Sequence, residues 1–174
     1  MDMLRHIPAG GGFRKIPRGE GKRFNVAGAR FTWKVKNKDS GHSLSMFEMT
    51  LEPGDGVPLH SHPYAEIFYV LEGEVDFPRV SDSGNEWVPA GGGETIIVPI
   101  NGLHAFYNRT FKPARLLSIS NQLHQRFFDA VAEADQLAPF ANMPFSDAMA
   151  RIATIAKGFD MHFLPFEPPP MREG

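Results

Sequence analysis

Two histidines and a glutamate stand close together near the middle of the chain, at His60, His62 and Glu66. In an extended segment, residues two apart point to the same face, and Glu66 keeps that parity four residues beyond His62. Pro63 lies between them and can distort the path locally. The segment of residues 65–71 is apolar apart from Glu66. A carboxylate in such a strand is costly unless it is paired or binds a metal ion.

A second apolar segment, residues 103–109, contains a single histidine, His104. His104, Phe106 and Asn108 share one strand face. If this segment faces the first one across a barrel, three imidazoles and one carboxylate converge. Such a donor set suits Fe, Mn, Ni, Cu or Zn and disfavours Ca²⁺, which prefers oxygen ligands. The chain has no cysteine, so a metal ion would have to be bound by His, Asp or Glu.

Short apolar runs separated by glycine and proline predict the elements that position these residues, namely short strands joined by tight turns. Strand 65–71 is apolar on both faces apart from Glu66. We therefore expect one face to line a barrel interior and the other to be covered by a second sheet or a second subunit. The predicted strands are residues 30–37, 43–51, 65–71, 73–80, 94–98, 103–109 and 114–120.

The spacing of these residues resembles the two motifs of the cupin superfamily. Residues 54–73 match every fixed position of the first motif, G(X)5HXH(X)3,4E(X)6G. The second motif, G(X)5PXG(X)2H(X)3N, is matched at Gly93, Pro99, His104 and Asn108. Asn101 stands where the family usually has glycine. Because Asn tolerates the left-handed conformation better than other non-glycine residues, we expect this turn to survive.

The resemblance implies an all-β fold, a double-stranded β-helix that forms a jelly-roll-like cupin barrel. We assign the barrel to residues 1–122, with the motif core at 54–108, and a helical extension with a proline-rich tail to residues 123–174. The family's metal ligands map onto His60, His62, Glu66 and His104. Gly91–Gly93 is then the turn that opens the second motif, because a phosphate-binding loop would need a strand before it and a helix after it.

Apolar residues recur at helical spacing after Ser120 and predict two helices. The first covers about residues 124–136. The second begins after Pro144, with Ser146 as its expected N-cap, and ends near Gly158. These helices could form a lid over the barrel mouth, pack on its outside, or lie at a dimer interface.

Three classes of function follow from the resemblance and stay open. The first is a metal-dependent dioxygenase acting on a small phenolic or enolic molecule, similar to the quercetinase type of cupin. Glu66 would there be both a metal ligand and the base that removes the substrate's proton. The second is non-oxidative isomerisation, cyclisation or decarboxylation with a Lewis-acidic metal ion. The third is a binding or sensing module without turnover.

Several further residues are weaker candidates for the site. Phe68, Val70, Ile97 and Phe106 could form an apolar pocket or simply fill the barrel. The polar candidates are Glu48, Tyr64, Tyr69, Tyr107 and Asn108, of which Asn108 is expected to support a turn. The remaining histidines are predicted not to be ligands: His6 and His42 are expected to be solvated, and His124 and His162 to be structural or exposed.

Composition narrows the expected partners. The net charge is −2 and no basic stripe is present, so we expect no nucleic acid as a partner. The first residues lack the apolar region of a signal peptide, and no apolar run is long enough to cross a bilayer. We therefore expect a cytoplasmic protein without a membrane partner. The expected partners are a small-molecule substrate, O2 for the dioxygenase, and a second copy of the chain in a homodimer.

Overall fold

A computed structural model describes residues 13–26, 29–81, 84–165 and 167–172. This part of the chain contains eleven strands, two α-helices and two short 3₁₀ helices. The strands are β1 (Lys22–Val26), β2 (Ala29–Val35), β3 (Ser45–Leu51), β4 (Gly56–Ser61), β5 (Glu66–Glu72), β6 (Glu74–Ser81), β7 (Gly84–Gly91), β8 (Thr95–Val98), β9 (His104–Tyr107), β10 (Ala114–Ser120) and β11 (His162–Phe163). The helices, α1 (Gln122–Leu137) and α2 (Phe145–Lys157), lie between β10 and β11.

The strands form two antiparallel sheets that enclose the core between them. One sheet has the order β1-β2-β3-β10-β5-β8, and the other has the order β11-β4-β9-β6-β7. Burial alternates strictly along β3 and β10, because one face of each strand points into the barrel. The buried face carries large apolar side chains such as Leu51, Phe68, Val70 and Leu116. This mostly-β barrel with two C-terminal helices confirms the predicted fold class.

All seven predicted strands are present within a few residues of their expected bounds, and four further strands were not predicted. Of these, β4 contains Pro58 and β7 contains Pro89, which removes a backbone donor and weakens the sequence signal for a strand. The strand β11 has only two residues and is defined by its pairing with β4, which brings His162 opposite Ser61. Long-range pairing of this kind leaves no local pattern in the sequence.

No second sheet among the described residues covers the outer face of β5, so the expectation of one there is wrong. Ile67 and Tyr69 are 37% and 39% exposed. Ile67 pairs with Ile97 of β8, and Ile97 is 71% exposed on the same outward face. Ile97 therefore does not line an interior pocket, contrary to expectation. Its neighbours Ile96 and Val98 have the inward parity in this strand.

Asn121 is the N-cap of α1, and its side chain accepts a hydrogen bond from the backbone N–H of Leu123. The helix docks on the six-stranded sheet through Phe128, whose ring contacts the rings of Phe24, Phe31 and Phe47. Apolar spacing along one helix face predicted a packed helix here, and this prediction is confirmed.

The predicted N-cap of the second helix is wrong. The capping position is Pro144, whose carbonyl accepts from the N–H groups of Asp147 and Ala148, and Ser146 lies inside the helix. Proline is tolerated at this position because the residue before the first helical turn donates no hydrogen bond within the helix, so its missing N–H costs none. Gly158 does occupy the C-cap, although its φ of −68° is right-handed.

Candidate metal centre

The four candidate ligands lie together inside the barrel. His60 is on β4, His62 follows its end, and Glu66 and His104 are the first residues of β5 and β9. His60 and His104 are directly opposite each other in the β4–β9 pair. All four side chains are buried, and one ligand atom from each lies within 4.8 Å of the others. The convergence expected from strand parity is therefore present.

The three histidines share one hydrogen-bonding arrangement. In each ring, Nδ1–H donates to a backbone carbonyl two residues away: His60 to Pro58 at 2.8 Å, His62 to Tyr64 at 2.8 Å, and His104 to Gly102 at 2.9 Å. A neutral imidazole has one N–H, so this bond leaves Nε2 with a free lone pair. In His62 and His104 this lone pair belongs to the nitrogen that faces Glu66. Metal-binding histidines are held in the same way, by a hydrogen bond from the ring nitrogen that does not bind the metal.

The two carboxylate oxygens of Glu66 have different contacts: Oε2 faces the histidines of the cluster, and Oε1 is hydrogen-bonded to a serine. Its Oε2 atom lies 3.0 Å from Nε2 of His62 and 3.6 Å from Nε2 of His104. Its Oε1 atom accepts a hydrogen bond from the hydroxyl of Ser118 on β10. Nε2 of His104 is buried and has no hydrogen-bond partner among the described residues. Lone pairs that face each other at these distances repel unless a cation lies between them.

Burial and the neighbouring rings set the charges of the cluster. Burial lowers the pKa of His60 well below its ordinary value, and the adjacent His104 adds to this effect. Burial alone would raise the pKa of Glu66, but positive charge on His124 and N–H donation from His104 and His62 outweigh it and hold that pKa well below its ordinary value when those rings are protonated. A metal cation bound to the neutral rings would stabilise the carboxylate in the same way. At neutral pH His60 is therefore neutral, and Glu66 is an anion. These are the protonation states that a metal ion requires of its ligands.

The turns that carry the motif glycines position these residues. Asn101 adopts a φ of +60°, which confirms that asparagine replaces glycine in a left-handed turn there. Its backbone N–H donates to the carbonyl of His62 at 2.9 Å, which ties the turn before β9 to the end of β4. Gly93, with a φ of +91°, lies in the turn that leads into β8, as expected. The Asn101 turn thus helps to hold His62 and His104 in place.

Asn108 supports a turn, as predicted. Its side-chain NH2 donates to the carbonyls of Leu51 and Lys112, and its Oδ1 accepts from Thr110. Of the other polar candidates, Tyr64 stacks on His62 with ring centroids 4.0 Å apart, at the edge of the cluster.

The remaining polar candidates lie away from the cluster. Glu48 accepts hydrogen bonds from Arg115, and Tyr69 is on the outward face of β5. Tyr107 packs in a separate cluster with Leu59 and Ala105. None of the three therefore contributes to the site.

The other histidines separate into exposed and buried positions. His42 and His162 are exposed, and His6 lies outside the described residues. His124, on the first turn of α1, is only 3% exposed, and its Nε2 lies 3.8 Å from Oε1 of Glu66. It is not one of the four clustered ligands. Its position beside Glu66 was not predicted, because it depends on how α1 folds back onto the barrel.

A cavity of about 90 Å³ adjoins the cluster, between the barrel mouth and the two helices. Its polar lining side chains are His60, Glu66 and His124. The rest of the lining is apolar and comes from the barrel (Val26, Phe31, Phe47, Met49, Gly56, Val57, Pro58, Phe106, Phe163), from α1 and α2 (Phe127, Phe128, Phe145, Met149, Ile152) and from Met161. Of the predicted apolar pocket residues, Phe106 lines this cavity. The helices therefore form a lid over the barrel mouth, one of the three arrangements expected for them.

No helix in the described part of the chain is long and apolar enough to cross a membrane.

Residues 47–120 match the cupin domain family. Germin-like protein 3-8 from Oryza sativa subsp. japonica is 36% identical over 80 residues. That match covers 45% of this chain and 36% of the relative, so the shared part is about a third of the relative's length.

Solved structures share the fold at low sequence identity. The polyketide cyclase RemF from Streptomyces resistomycificus has a TM-score of 0.56 and 22% identity, over 64% of this chain and 80% of its own. An RmlC-like cupin from Shewanella frigidimarina has a TM-score of 0.53 and 17% identity, over 66% and 96%. A variant of oxalate decarboxylase from Bacillus subtilis has a TM-score of 0.50 and 21% identity, over 59% and 27%. Residues 47–120, with the barrel strands and the buried cluster of three histidines and one glutamate that they contain, form a cupin domain.

Proposed function

We propose that this chain is a metal-dependent enzyme that holds one divalent transition metal ion with His60, His62, Glu66 and His104. The observation that carries the proposal is the common tautomer of the three histidines. It directs three Nε2 lone pairs and Oε2 of Glu66 at one point. A proton bonds one such nitrogen at a time, whereas one metal ion bonds all four donors at once.

The donor set fits a first-row ion. Three imidazole nitrogens and one carboxylate oxygen suit Fe, Mn, Ni, Cu or Zn. Nε2 of His104 is otherwise a buried acceptor without a partner among the described residues, and a metal ion would supply that partner. Four protein ligands leave room on a five- or six-coordinate ion for an oxygen atom of the substrate or for O2.

We infer that the reaction is the dioxygenation of a small phenolic or enolic molecule. A bound ion would supply Lewis acidity toward the substrate oxygen and, if it is redox-active, a means of engaging O2. Glu66 is ionised and lines the apolar cavity, so it can accept the proton of an enol or phenol hydroxyl. The hydroxyl of Ser118 holds the carboxylate in its orientation. The buried, apolar lining excludes water from the reacting centre.

A non-oxidative reaction is the second candidate. Proteins with this fold include a polyketide cyclase and an oxalate decarboxylase, so the fold alone does not select O2 chemistry. The same ligands and cavity would then support isomerisation, cyclisation or decarboxylation of a small oxygenated molecule without O2. A third possibility, a binding or sensing module, predicts tight ligand binding without turnover.

An O2 electrode distinguishes these reactions. Protein loaded separately with Fe, Ni, Mn, Cu or Zn is mixed with a 1,3-diketone or a flavonol. We expect metal-dependent O2 uptake that is lost in His104→Ala and kept in His162→Ala, which removes an exposed histidine outside the cluster. Consumption of the substrate without O2 uptake would contradict the dioxygenase and support the non-oxidative reaction. Binding of the diketone without turnover in every metal form would support the binding or sensing module.

A further inference from the structure

The lid contributes one polar side chain to the cavity, and the four-ligand cluster does not use it. His124 lies on the first turn of α1, and its side chain is 3% exposed. Its ring centroid lies 5.3, 5.3 and 4.9 Å from those of Phe47, Tyr64 and Phe128, respectively. An aromatic side chain without nitrogen atoms would suit these neighbours equally well. The reason for a histidine at this position must therefore lie in its nitrogen atoms.

Those two nitrogen atoms have different surroundings. Nδ1 is buried and has no hydrogen-bond partner among the described residues. Nε2 lies 3.8 Å from Oε1 of Glu66, and both residues line the cavity. A neutral ring beside a carboxylate is most stable with its proton on the nitrogen nearest to that carboxylate, so His124 has an Nε2–H. At 3.8 Å this N–H is too far from Oε1 to form a good hydrogen bond. At this distance the N–H of His124 stays available to an acceptor on a bound molecule.

We propose that His124 is a substrate-binding residue, whose Nε2–H donates to an anionic or carbonyl oxygen of a small molecule bound beside Glu66. The proposal rests on the proposed function, since the same molecule would place an oxygen at the four-ligand cluster. It assigns a specific role to the C-terminal extension: α1 closes the barrel mouth and also supplies the hydrogen-bond donor that recognises the ligand.

The cavity limits the chemical class of that ligand. Its lining is apolar except for the three polar side chains at one end. At about 90 Å³, and partly open to solvent, it has room for the oxygen-bearing end and a short apolar body of a small molecule. The ligand is therefore a compact molecule with a short apolar body and one oxygen-bearing end, such as a small enolate.

Binding of pentane-2,4-dione, a small 1,3-diketone that forms an enolate, tests this role. Zn²⁺-loaded wild type, His124→Phe and His124→Gln are titrated with the dione by calorimetry, because zinc does not support O2 turnover. Phenylalanine keeps the aromatic packing and removes the donor, and glutamine restores an N–H near the position of Nε2. His162→Phe removes an exposed histidine and serves as the matched control. Zn²⁺ content and thermal unfolding are measured for every variant.

We expect His124→Phe to weaken dione binding by about tenfold or more, the usual effect of losing a hydrogen bond to a charged acceptor. We expect His124→Gln to recover most of that loss, and all variants to hold about one Zn²⁺ per chain. Equal dione affinities in wild type and His124→Phe would overturn the role of His124 and leave the proposed function intact. Loss of Zn²⁺ in His124→Phe alone would also overturn it, because His124 would then act on the ligand cluster. A wild-type chain that binds no Zn²⁺ would instead overturn the proposed function.

Discussion

Nε2 of His62 lies 3.0 Å from Oε2 of Glu66, while Nδ1 of the same ring is bonded to the carbonyl of Tyr64. The second bond takes the ring's only proton in its neutral form, so two lone pairs would face each other across the first distance. A cation between them removes this repulsion. The same geometry recurs at His104, whose Nε2 lies 3.6 Å from the same oxygen. One shared cation accounts for both contacts.

The hydroxyl of Ser118, which donates a hydrogen bond to Oε1 of Glu66, should affect the affinity for the metal ion. Ser118→Ala removes the hydrogen bond to Oε1 and lets the carboxylate rotate. We expect the metal dissociation constant to rise by about 10- to 100-fold, the usual effect of removing a group that orients a ligand. Ser120→Ala is the matched control, because Ser120 lies on the same strand and donates to the carbonyl of Ala65 instead. Competition with a chromogenic chelator measures both, and equal losses in the two variants would contradict the assignment.

Acid should destabilise the metal-free protein through its buried histidines. Burial lowers the pKa of His124 to about 4, and lowers the pKa of His60 as well. A histidine whose pKa is lowered in the folded state stabilises that state fully only at pH values above its pKa in the unfolded chain, about 6.5. That stability is lost as the pH falls toward the folded value, so His124 accounts for a loss of about 3 kcal/mol between pH 6.5 and 4.

Urea unfolding of the metal-free protein across this pH range measures the loss. His124→Phe should flatten the dependence, since phenylalanine does not titrate. His162→Phe, at an exposed position, should leave it unchanged. An identical slope in wild type and His124→Phe would show that His124 is not buried in the neutral form.

The aromatic contact between α1 and the barrel should account for much of the stability of the lid. Phe128 packs against Phe24, Phe31 and Phe47. We expect Phe128→Ala to lower the free energy of unfolding by about 3–5 kcal/mol, as for other large core truncations. Phe145→Ala, at a position that is 65% exposed, should cost less than about 1 kcal/mol. Chemical denaturation followed by circular dichroism compares them, and a similar cost for both would contradict the docking of α1.

The uncovered outer face of β5 and β8 should form a dimer contact. Ile67, Tyr69 and Ile97 form an exposed apolar face there. Exposed apolar patches of this kind mark sites of association. We expect light scattering to give twice the chain mass of 19.4 kDa, and Ile97→Lys to shift the protein toward the monomer. A wild-type monomer at micromolar concentration would show that this face remains exposed to solvent.

The cluster was predictable from sequence because its positions follow local rules. His60 and His62 obey strand parity, and Glu66 opens the next strand with the same inward orientation. The left-handed turn at Asn101 was likewise predictable, because asparagine tolerates that conformation, and its φ of +60° confirms the prediction. Each of these predictions needs only the conformation of a few adjacent residues.

The lid could not be predicted in the same way. The apolar spacing of α1 is visible in the sequence. The position of His124 beside Glu66, however, depends on how α1 packs on the barrel, and the two residues are 58 positions apart in the chain. The pocket prediction for Ile97 failed because parity in β8 is set by its pairing with β5, where Ile67 faces outward. Ser146 failed as an N-cap because Pro144 starts the helix two residues earlier.

Elemental analysis of wild type and His104→Ala tests the metal centre most directly. Both are purified from cells supplied with Fe, Mn, Ni, Cu and Zn, with His162→Ala as the control for an exposed histidine. We predict about one equivalent of a first-row metal ion per chain in wild type and in His162→Ala, and a loss of stoichiometric binding in His104→Ala, because one of four donors is removed. No metal in wild type even after reconstitution, or wild-type content in His104→Ala, would contradict the assignment of the site.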